Sequence, residues 1–419
     1  MNFMHPGEND PSQKEFDTRT FLRNATRQAE QRRYEDFLIV DVDAHHYEMD
    51  AFREIAEYIE DPVMRHMALH TKGSFTMRTT GGYQEMQGRI RSSSGRKKEK
   101  IPPTPHRDVT LATRWMDAMG VDVACLFPTP MLGLGLHPQV EVEVELSRAY
   151  NRWLTECILA VEPRITSALY LPMNDPAAAL RTIKEFGDKP GVIGFMVTTV
   201  RYKPLYDNVY MKIYAELEER GLPLSFHSAT NWNDQSMALT NRFIATHALG
   251  FTWFNMLHLT NWIVNGLPER FPKLKIVWIE SGLAWVPFLM QRLDNEYMMR
   301  SSEVPSLKRL PSEYMRDMYF ACQPMEAVRN LEALELTFKM ANAETQLLYA
   351  SDYPHWDMDL PNTIFDLPFL SEQAKRNILG GNAKRLFNLN HPLSAPKLAR
   401  QQARRQSSPE DSAPGRRTG

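Results

Sequence analysis

The sequence predicts an α/β fold, a TIM-like (β/α)8 barrel with a long insertion after the first strand. Eight short apolar runs alternate with stretches of helical periodicity, and nearly continuous apolar strands are typical of a parallel sheet covered by helices on both faces. No glycine-rich phosphate loop follows the first run, so a closed barrel is favoured over an open doubly wound sheet. The runs span residues 37–41, 121–127, 165–171, 192–197, 222–226, 275–279, 318–322 and 347–351.

Helix signals lie between the runs, where a barrel needs its return segments. Before the second run, apolar residues recur on one helical face, and Gly120 is placed to end that helix. After the third run, Asp175 and Pro176 form an N-cap and first-turn pair. The apolar face before the second run consists of Val109, Ala112, Met116 and Met119.

The chain divides into one large domain and two terminal segments. Residues 1–34 are polar and charged without a sustained period, which indicates an N-terminal extension, and residues 35–391 hold the barrel. Residues 392–419 are rich in Arg, Ser, Gln and Pro, which predicts a disordered tail because little apolar surface is available for burial. Within the insertion, the basic segment 88–105 is either a solvated surface loop or a lid that brings an Arg to an anionic substrate.

The charge balance and the cysteines narrow the class of protein. Lys and Arg total 49 against 51 Asp and Glu, so neither nucleic acid nor an anionic membrane is an expected partner. No run approaches the ~20 apolar residues of a membrane span, and no signal-peptide pattern is present, which predicts a cytoplasmic protein. Cys125, Cys157 and Cys322 fit neither a disulfide framework nor a Cys-x-x-Cys metal site, and we expect them to stay reduced.

Polar side chains follow several apolar runs, at the strand ends where barrel enzymes hold their chemistry. Asp43 and His45 follow the first run, and strand alternation sends them to one side while His46 faces the other. Carboxylate and imidazole together suit one divalent ion, Zn²⁺, Mn²⁺ or Fe²⁺, and leave a position for water or substrate. Each residue alone is more often structural, but their joint placement predicts a metal site. The predicted ligands are Asp43, His45, His227 and Asp352.

At these residues the chain resembles the decarboxylase branch of the amidohydrolase superfamily, typified by amino-carboxymuconate semialdehyde decarboxylase. The resemblance runs from Phe37 to about Leu389. It is most specific in ASDYP at the eighth strand and in FPKLKIVWIESGLAWVPFLMQRLD through the sixth, and it includes DVDAHHYE at the first. It implies a barrel that holds one divalent metal, Zn²⁺ or Mn²⁺, between the same four ligands and acts on a small carboxylate substrate.

Two positions depart from the pattern of the type enzyme. Asp43 replaces the first His of its His-x-His pair, a variation that resembles the acidic-first members acting on hydroxybenzoates. Glu280 replaces a sixth-strand His that assists the metal-bound water. The first change keeps a ligand, whereas the second bears on the mechanism.

Four further residues are candidates for substrate contact. Arg292 matches the position from which a neighbouring subunit holds a substrate carboxylate, which implies a homodimer, although an ion pair on its own helix is the alternative. His247 and His258 lie on the helix before the sixth strand and serve either the substrate or the core and surface. Trp285, like Trp356, either stacks on a planar ligand or packs in the core.

The leading functional hypothesis is a metal-dependent, non-oxidative decarboxylase, a C–C lyase for a small aromatic or unsaturated hydroxy or oxo acid. The metal would stabilise developing charge, and Glu280 or Asp352 would act as the acid or base. The alternative is hydrolysis of an amide, lactone or C–C bond with Glu280 as general base. A catalytically silent binding or scaffold barrel is the third hypothesis, which the retained ligand set disfavours.

Overall fold

Eight parallel strands form the centre of the molecule and pair in sequence order. The structure, a computed structural model, describes residues 18–70, 101, 104–229, 231, 234–326, 330–355 and 357–407. Each predicted apolar run contributes one strand, so the predicted barrel is confirmed. The strands are β1 (Val40–His46), β2 (Val123–Pro128), β3 (Ile165–Tyr170), β4 (Val192–Thr198), β5 (Leu224–His227), β6 (Ile276–Ile279), β7 (Tyr319–Ala321) and β8 (Leu347–Leu348).

The barrel closes where the segment that follows β8 runs beside β1. Val42 N donates to Tyr349 O at 3.0 Å, and Asp352 N donates to Asp43 O at 2.7 Å. A parallel bridge pairs Ala44 with Tyr353. Closure therefore brings the segment that follows β8 against β1 at the level of Asp43. Residues from the first and the last strand regions of the barrel thus lie side by side.

The first strand begins and ends later than predicted. The apolar run at 37–41 indicated a strand there, whereas β1 spans Val40–His46 and is buried at every position. Asp41, a polar residue within it, accepts from Ser351 N at 2.9 Å inside the barrel. Because hydrogen-bond partners inside the barrel stabilise buried polar groups such as the Asp41 carboxyl, the strand continues through polar residues at which the sequence predicted its end.

Helices cover the outside of the barrel between successive strands. The predicted caps are present: Gly120 has φ 74° at the end of α4, and the Asp175 side chain accepts from two backbone N–H groups at the start of α6. The helices are α1 (Thr18–Gln31), α2 (Phe52–Glu57), α3 (Pro62–His70), α4 (Arg107–Met119), α5 (Val140–Leu154), α6 (Pro176–Phe186), α7 (Met211–Arg220), α8 (Phe243–Val264), α9 (Leu267–Arg270), α10 (Trp285–Arg300), α11 (Pro311–Met315), α12 (Leu331–Met340), α13 (Ala343–Gln346), α14 (Asn362–Phe365), α15 (Glu372–Arg376), α16 (Asn382–Leu386) and α17 (Ala395–Ser407).

The long connection after β1 carries α2, α3 and α4 before the chain returns to β2. The apolar face predicted for α4 is buried along its length. The basic segment 88–105 falls outside the described residues except for residues 101, 104 and 105. Its role as a lid or a surface loop stays a prediction.

The N-terminal extension contains a helix that joins the core. In α1, the spacing of Phe21, Ala25 and Ala29 forms one apolar stripe, and all three side chains are buried. Phe21 stacks on Tyr353 with ring centroids 6.0 Å apart. The sequence pattern did not predict this helix, because alanines give only a weak apolar periodicity among many charged residues.

The C-terminal segment predicted to be disordered differs in a similar way, because Ala395–Ser407 forms α17. Lys397 is buried, and its Nζ donates to Asp122 Oδ2 and to Phe37 O, both at 2.6 Å. Arg404 pairs with Asp36 at 2.8 Å. Buried and partly buried polar contacts hold this helix against the base of the barrel, and a search for apolar residues does not detect them.

We expect the Lys397→Met variant to lose about 3–5 kcal/mol of unfolding free energy, because the Asp122 carboxylate would stay buried without its cation. Urea denaturation followed by circular dichroism measures the change. Lys339→Met is the matched control, since Lys339 pairs with Glu335 on the exposed face of α12. Equal stability of the two variants would contradict a role for α17 in stability.

Two further predictions concern the cysteines and the location of the protein. Cys125 and Cys322 are buried, Cys157 is partly exposed, and all three are free thiols. Among the helices of the described segments, none combines the length and apolarity required to cross a bilayer. The cytoplasmic location stays a prediction.

Candidate metal centre at the barrel mouth

Asp43 and His45 point into the barrel from β1, as strand alternation predicts. Both side chains are fully buried, and His45 Nε2 lies 3.3 Å from Asp43 Oδ1. His46 faces the opposite side, where its Nδ1 lies 3.2 Å from Asp108 Oδ2 and its Nε2 lies 2.8 Å from the Tyr150 hydroxyl. The two-residue spacing therefore separates the site pair from a structural histidine.

His227 and Asp352 reach the pair Asp43 and His45 from the ends of β5 and β8, His227 beside Asp43 and Asp352 beside His45. His227 Nε2 lies 3.3 Å from Asp43 Oδ1, and Asp352 Oδ1 lies 3.3 Å from His45 Nε2. Gln323, which follows β7, donates to Asp352 Oδ2 at 3.1 Å. The structure thus brings together all four residues predicted as metal ligands.

Hydrogen bonds orient both imidazoles so that their Nε2 atoms face the centre. His45 Nδ1 lies 2.9 Å from Pro128 O, and His227 Nδ1 lies 2.9 Å from Ser228 O. A carbonyl only accepts, so each Nδ1 carries a proton, and each Nε2 is the nitrogen that faces the centre and could bind a metal ion. This arrangement of carbonyl, imidazole and free nitrogen is the usual one around metal-binding histidines.

The buried polar atoms at the centre fit a cation. Among the described residues, Asp43 Oδ2 and His45 Nε2 have no hydrogen-bond donor or acceptor, although both are fully enclosed. Burial alone would raise the pKa of Asp43, but the imidazoles of His227 and His45 lower it well below its ordinary value. Burial lowers the pKa of His45 and so favours its neutral form. An anionic carboxylate beside a neutral imidazole is the kind of donor pair that a divalent metal requires.

Glu280 lies beside this centre at the end of β6. Its Oε2 is 3.4 Å from His227 Nδ1, and its side chain is 5% exposed. Both Glu280 and Asp352 have left-handed backbones, with φ of 60° and 57°. Such a conformation costs on the order of 1–3 kcal/mol for a residue other than glycine, and it is concentrated at functional sites. The fold therefore holds two acids at the mouth in strained positions.

His355, which sequence reasoning missed, also lines the site. It follows β8 by a few residues, is buried, and its Nδ1 lies 2.6 Å from Asp352 Oδ1. The group His45, Asp352 and His355 has donor atoms close enough for a shared ion, as has the group Asp43, His45 and His227. The signal was available in Asp-Tyr-Pro-His, where a turn returns the histidine toward the aspartate.

The structure does not bring His258 or Trp285 to the group around Asp43. His258 Nε2 lies 2.9 Å from Thr199 O, and burial lowers its pKa to about 4. The indole N–H of Trp285 donates to Gly282 O at 3.0 Å, and its ring packs edge-on against Phe320. The backbone contacts of His258 Nε2 and of the Trp285 indole N–H fit the structural alternatives, and a substrate role for either residue stays a prediction.

His247 and Arg292 lie farther out. His247 Nε2 is 3.6 Å from Asp357 Oδ2, a contact between α8 and the loop after β8. Arg292 is exposed on α10, and within the described part of the chain it makes no ion pair; Asp294 instead accepts from Ser312 N at 2.8 Å. Trp356 lies outside the described residues. A substrate role for His247 or Arg292 stays a prediction.

A set of buried and partly buried carboxyl groups fixes the loops that carry the site. Each accepts backbone N–H groups from a loop that follows a neighbouring strand, so the loops are tied to one another around the mouth. Such ties pre-organise a site, because they keep irregular backbone from moving. The pairs are Glu48 with Thr129 and Met131, Glu143 with Asn174, Glu326 with Leu283 and Ala284, and Asp359 with Met325.

Known proteins with similar sequences and folds support this picture. The gamma-resorcylate decarboxylase of a Polaromonas species is 23% identical over 261 residues, which cover 59% of this chain and 77% of the relative. The 2-amino-3-carboxymuconate-6-semialdehyde decarboxylase of Dictyostelium discoideum is 22% identical, over 64% of this chain and 74% of the relative. A crystal structure of a Polaromonas dihydroxybenzoic acid decarboxylase with manganese and the inhibitor 2-nitroresorcinol superposes with a TM-score of 0.60 at 18% identity, over 85% of this chain and 98% of that one.

The sequence profile of the amidohydrolase family matches residues 42–389, which include the entire set of residues around Asp43. The matched segment begins within β1 and ends after α16, so it covers the whole barrel. The similarity of the solved structures adds the same fold independently. This chain belongs to the amidohydrolase family.

Proposed function

We propose that this protein is a metal-dependent, non-oxidative decarboxylase of a small aromatic hydroxy acid. The observation that carries the proposal is the inward-facing group of two carboxylates and two imidazoles at the barrel mouth. The names of the relatives supply the substrate class, because they include decarboxylases of gamma-resorcylate and of a carboxymuconate semialdehyde. An unsaturated oxo acid is therefore the second substrate class to test.

The proposed ligands are Asp43, His45, His227 and Asp352, with one divalent ion per chain. Mn²⁺ is the first candidate, because a similar structure was solved with manganese, and Zn²⁺ is the second. When bound, the ion would polarise substrate oxygens and stabilise the charge that develops as the carboxyl group leaves. The protein itself would supply orientation, exclusion of water and a proton.

Glu280 is the proposed proton donor and acceptor. Its carboxylate lies against the outer nitrogen of His227 and approaches His355, so it borders the centre without belonging to the group around Asp43. A carboxyl group at this position can exchange a proton with a substrate carbon or with water. Asp352 is less suited to the proton role because it is one of the proposed metal ligands and its Oδ2 also accepts from Gln323.

Hydrolysis with Glu280 as general base is the second candidate function. The nearness of Glu280 to His227 favours it, since a carboxylate beside one metal can activate water. The experiment that separates the two is a substrate panel with manganese-loaded enzyme. Release of carbon dioxide from hydroxybenzoates, without turnover of amides or lactones, supports the decarboxylase; the reverse pattern supports the hydrolase.

A homodimer is part of the proposal. On α8, Leu249, Trp253 and Leu257 recur every four residues and are exposed, and on α10 the exposed Phe288 lies one turn before Arg292. A helix with apolar residues on all sides is typically covered on all sides. If α8 and α10 pack against a second copy, Arg292 faces that copy and becomes available to a substrate carboxylate there.

We expect mixed subunits to restore activity. Heterodimers of His227→Ala and Arg292→Ala chains contain one site that has both an intact metal centre and an intact arginine. Their activity should therefore approach, but not exceed, about half of the wild-type activity. Activity of differentially tagged, co-purified heterodimers measures this, with each homodimer as the control. No recovery in purified heterodimers would contradict the shared site.

A further inference from the structure

His355 is enclosed by residues from four strand ends. Its backbone N donates to Asp352 O at 2.8 Å, which closes a turn, and its side chain is 6% exposed. Its ring stacks on His45 with centroids 4.4 Å apart and planes 29° apart. Thr129 Oγ1, which follows β2, lies 3.5 Å from His355 Nε2. The ring is therefore held on one face by His45 and at its two nitrogens by Asp352 and Thr129.

The hydrogen-bonding pattern of His355 differs from that of the two proposed ligand histidines. His45 and His227 direct Nδ1 to a carbonyl and keep Nε2 toward the centre. His355 instead directs Nδ1 between two carboxylates, 2.6 Å from Asp352 Oδ1 and 3.7 Å from Glu280 Oε1. A nitrogen between carboxylate oxygens acts as a hydrogen-bond donor, because those oxygens offer only lone pairs when ionised.

We propose that His355 is a positioning residue that sets the affinity of the metal centre by holding Asp352. Its Nδ1 lies 2.6 Å from Asp352 Oδ1, a close ion-pair contact, while Gln323 donates to Oδ2 at 3.1 Å. Its stacked ring also limits rotation of the His45 imidazole. This role rests on the proposed function, because it assumes that Asp352 and His45 bind the ion.

The neighbouring charges explain why a donor is needed at this position. Asp352 and Glu280 both approach the same nitrogen, at 2.6 and 3.7 Å, and both have left-handed backbones at the barrel mouth. Without a donor between them, the two carboxylates would lose a shared partner, and Asp352 would be free to turn away from His45. Residues that hold a metal ligand in this way typically change metal affinity by about 10–100-fold when removed.

The test measures Mn²⁺ affinity by competition with a chelator in the wild type and in the His355→Ala and His355→Asn variants. We expect affinity to fall by about 10–100-fold in His355→Ala. The asparagine side chain keeps an N–H near the place of Nδ1, so His355→Asn should recover most of that loss. His391→Ala, which removes a histidine outside the site, is the control, and thermal unfolding of the metal-free proteins checks that each variant folds.

Pulsed electron paramagnetic resonance of the bound Mn²⁺ then counts the coordinated imidazole nitrogens. Two imidazoles in the wild type and in His355→Ala support a positioning role, whereas three in the wild type would make His355 a ligand and overturn it. Unchanged affinity in His355→Ala, with metal bound normally by the wild type, overturns only this role. A wild type that binds no metal overturns the proposed centre and the role together.

Discussion

Replacing His227 with alanine should remove most of the bound metal and reduce turnover by at least roughly 10³-fold. A bound metal contributes several kcal/mol to the stabilisation of developing charge, and each 1.36 kcal/mol is worth a factor of about ten in rate. His227 is fully buried with its Nε2 3.3 Å from Asp43 Oδ1, so water cannot readily take its place in an unchanged geometry. Metal analysis of the purified variant and steady-state kinetics measure the two effects.

His258→Ala is the matched control for metal content. His258 is also buried, but its Nε2 lies 2.9 Å from Thr199 O and not near the carboxylates. Its removal should cost stability while one metal ion per chain remains bound. Full metal occupancy in His227→Ala would remove His227 from the ligand set, and metal loss in the control would indicate that unfolding explains the result.

The Glu280→Gln variant should turn over substrate roughly 10²–10⁴-fold more slowly with its metal content unchanged. Glutamine keeps the size of the side chain and most of its hydrogen bonds, but it cannot carry or release a proton in the same way. Because Glu280 lies 3.4 Å from His227 Nδ1 and at the mouth, the loss should fall on kcat more than on KM. Steady-state kinetics with metal analysis of the same preparation separate these quantities.

Glu313→Gln is the control for Glu280→Gln. Glu313 accepts from Leu310 N at the start of α11, outside the site, so its replacement should leave turnover close to that of the wild type. Near-normal turnover of Glu280→Gln with normal metal content would make Glu280 structural. The acid or base would then have to be Asp352 or a histidine.

The fold was predictable because its signal is local and repeated. Each apolar run lies on a strand that is buried on both faces, and helix signals such as the Asp175 cap lie between them. The same logic failed at the ends of the chain. The stripe of α1 has one large residue, Phe21, and two alanines, and α17 is held by Lys397 and Arg404, so large apolar residues contribute little to the pattern of either segment.

The candidate site was predictable where strand geometry controls it. The two-residue spacing of Asp43 and His45 and the strand ends at His227 and Asp352 were sufficient to bring those four residues together. His355 was not predicted, because its position depends on a turn and on the closure of the barrel between the β8 segment and β1. The sequence also gives no sign that the side chains of His258 and Trp285 form hydrogen bonds with backbone carbonyls.

The central claim is that the protein removes a carboxyl group and delivers a proton to the carbon left behind. Manganese-loaded wild type incubated with hydroxybenzoates in deuterated water tests it directly, with carbon dioxide and product deuterium measured together. We expect one carbon dioxide and one deuterium at the former carboxyl-bearing carbon for each substrate consumed, and far less of both with Glu280→Gln. Consumption of substrate without carbon dioxide would contradict it.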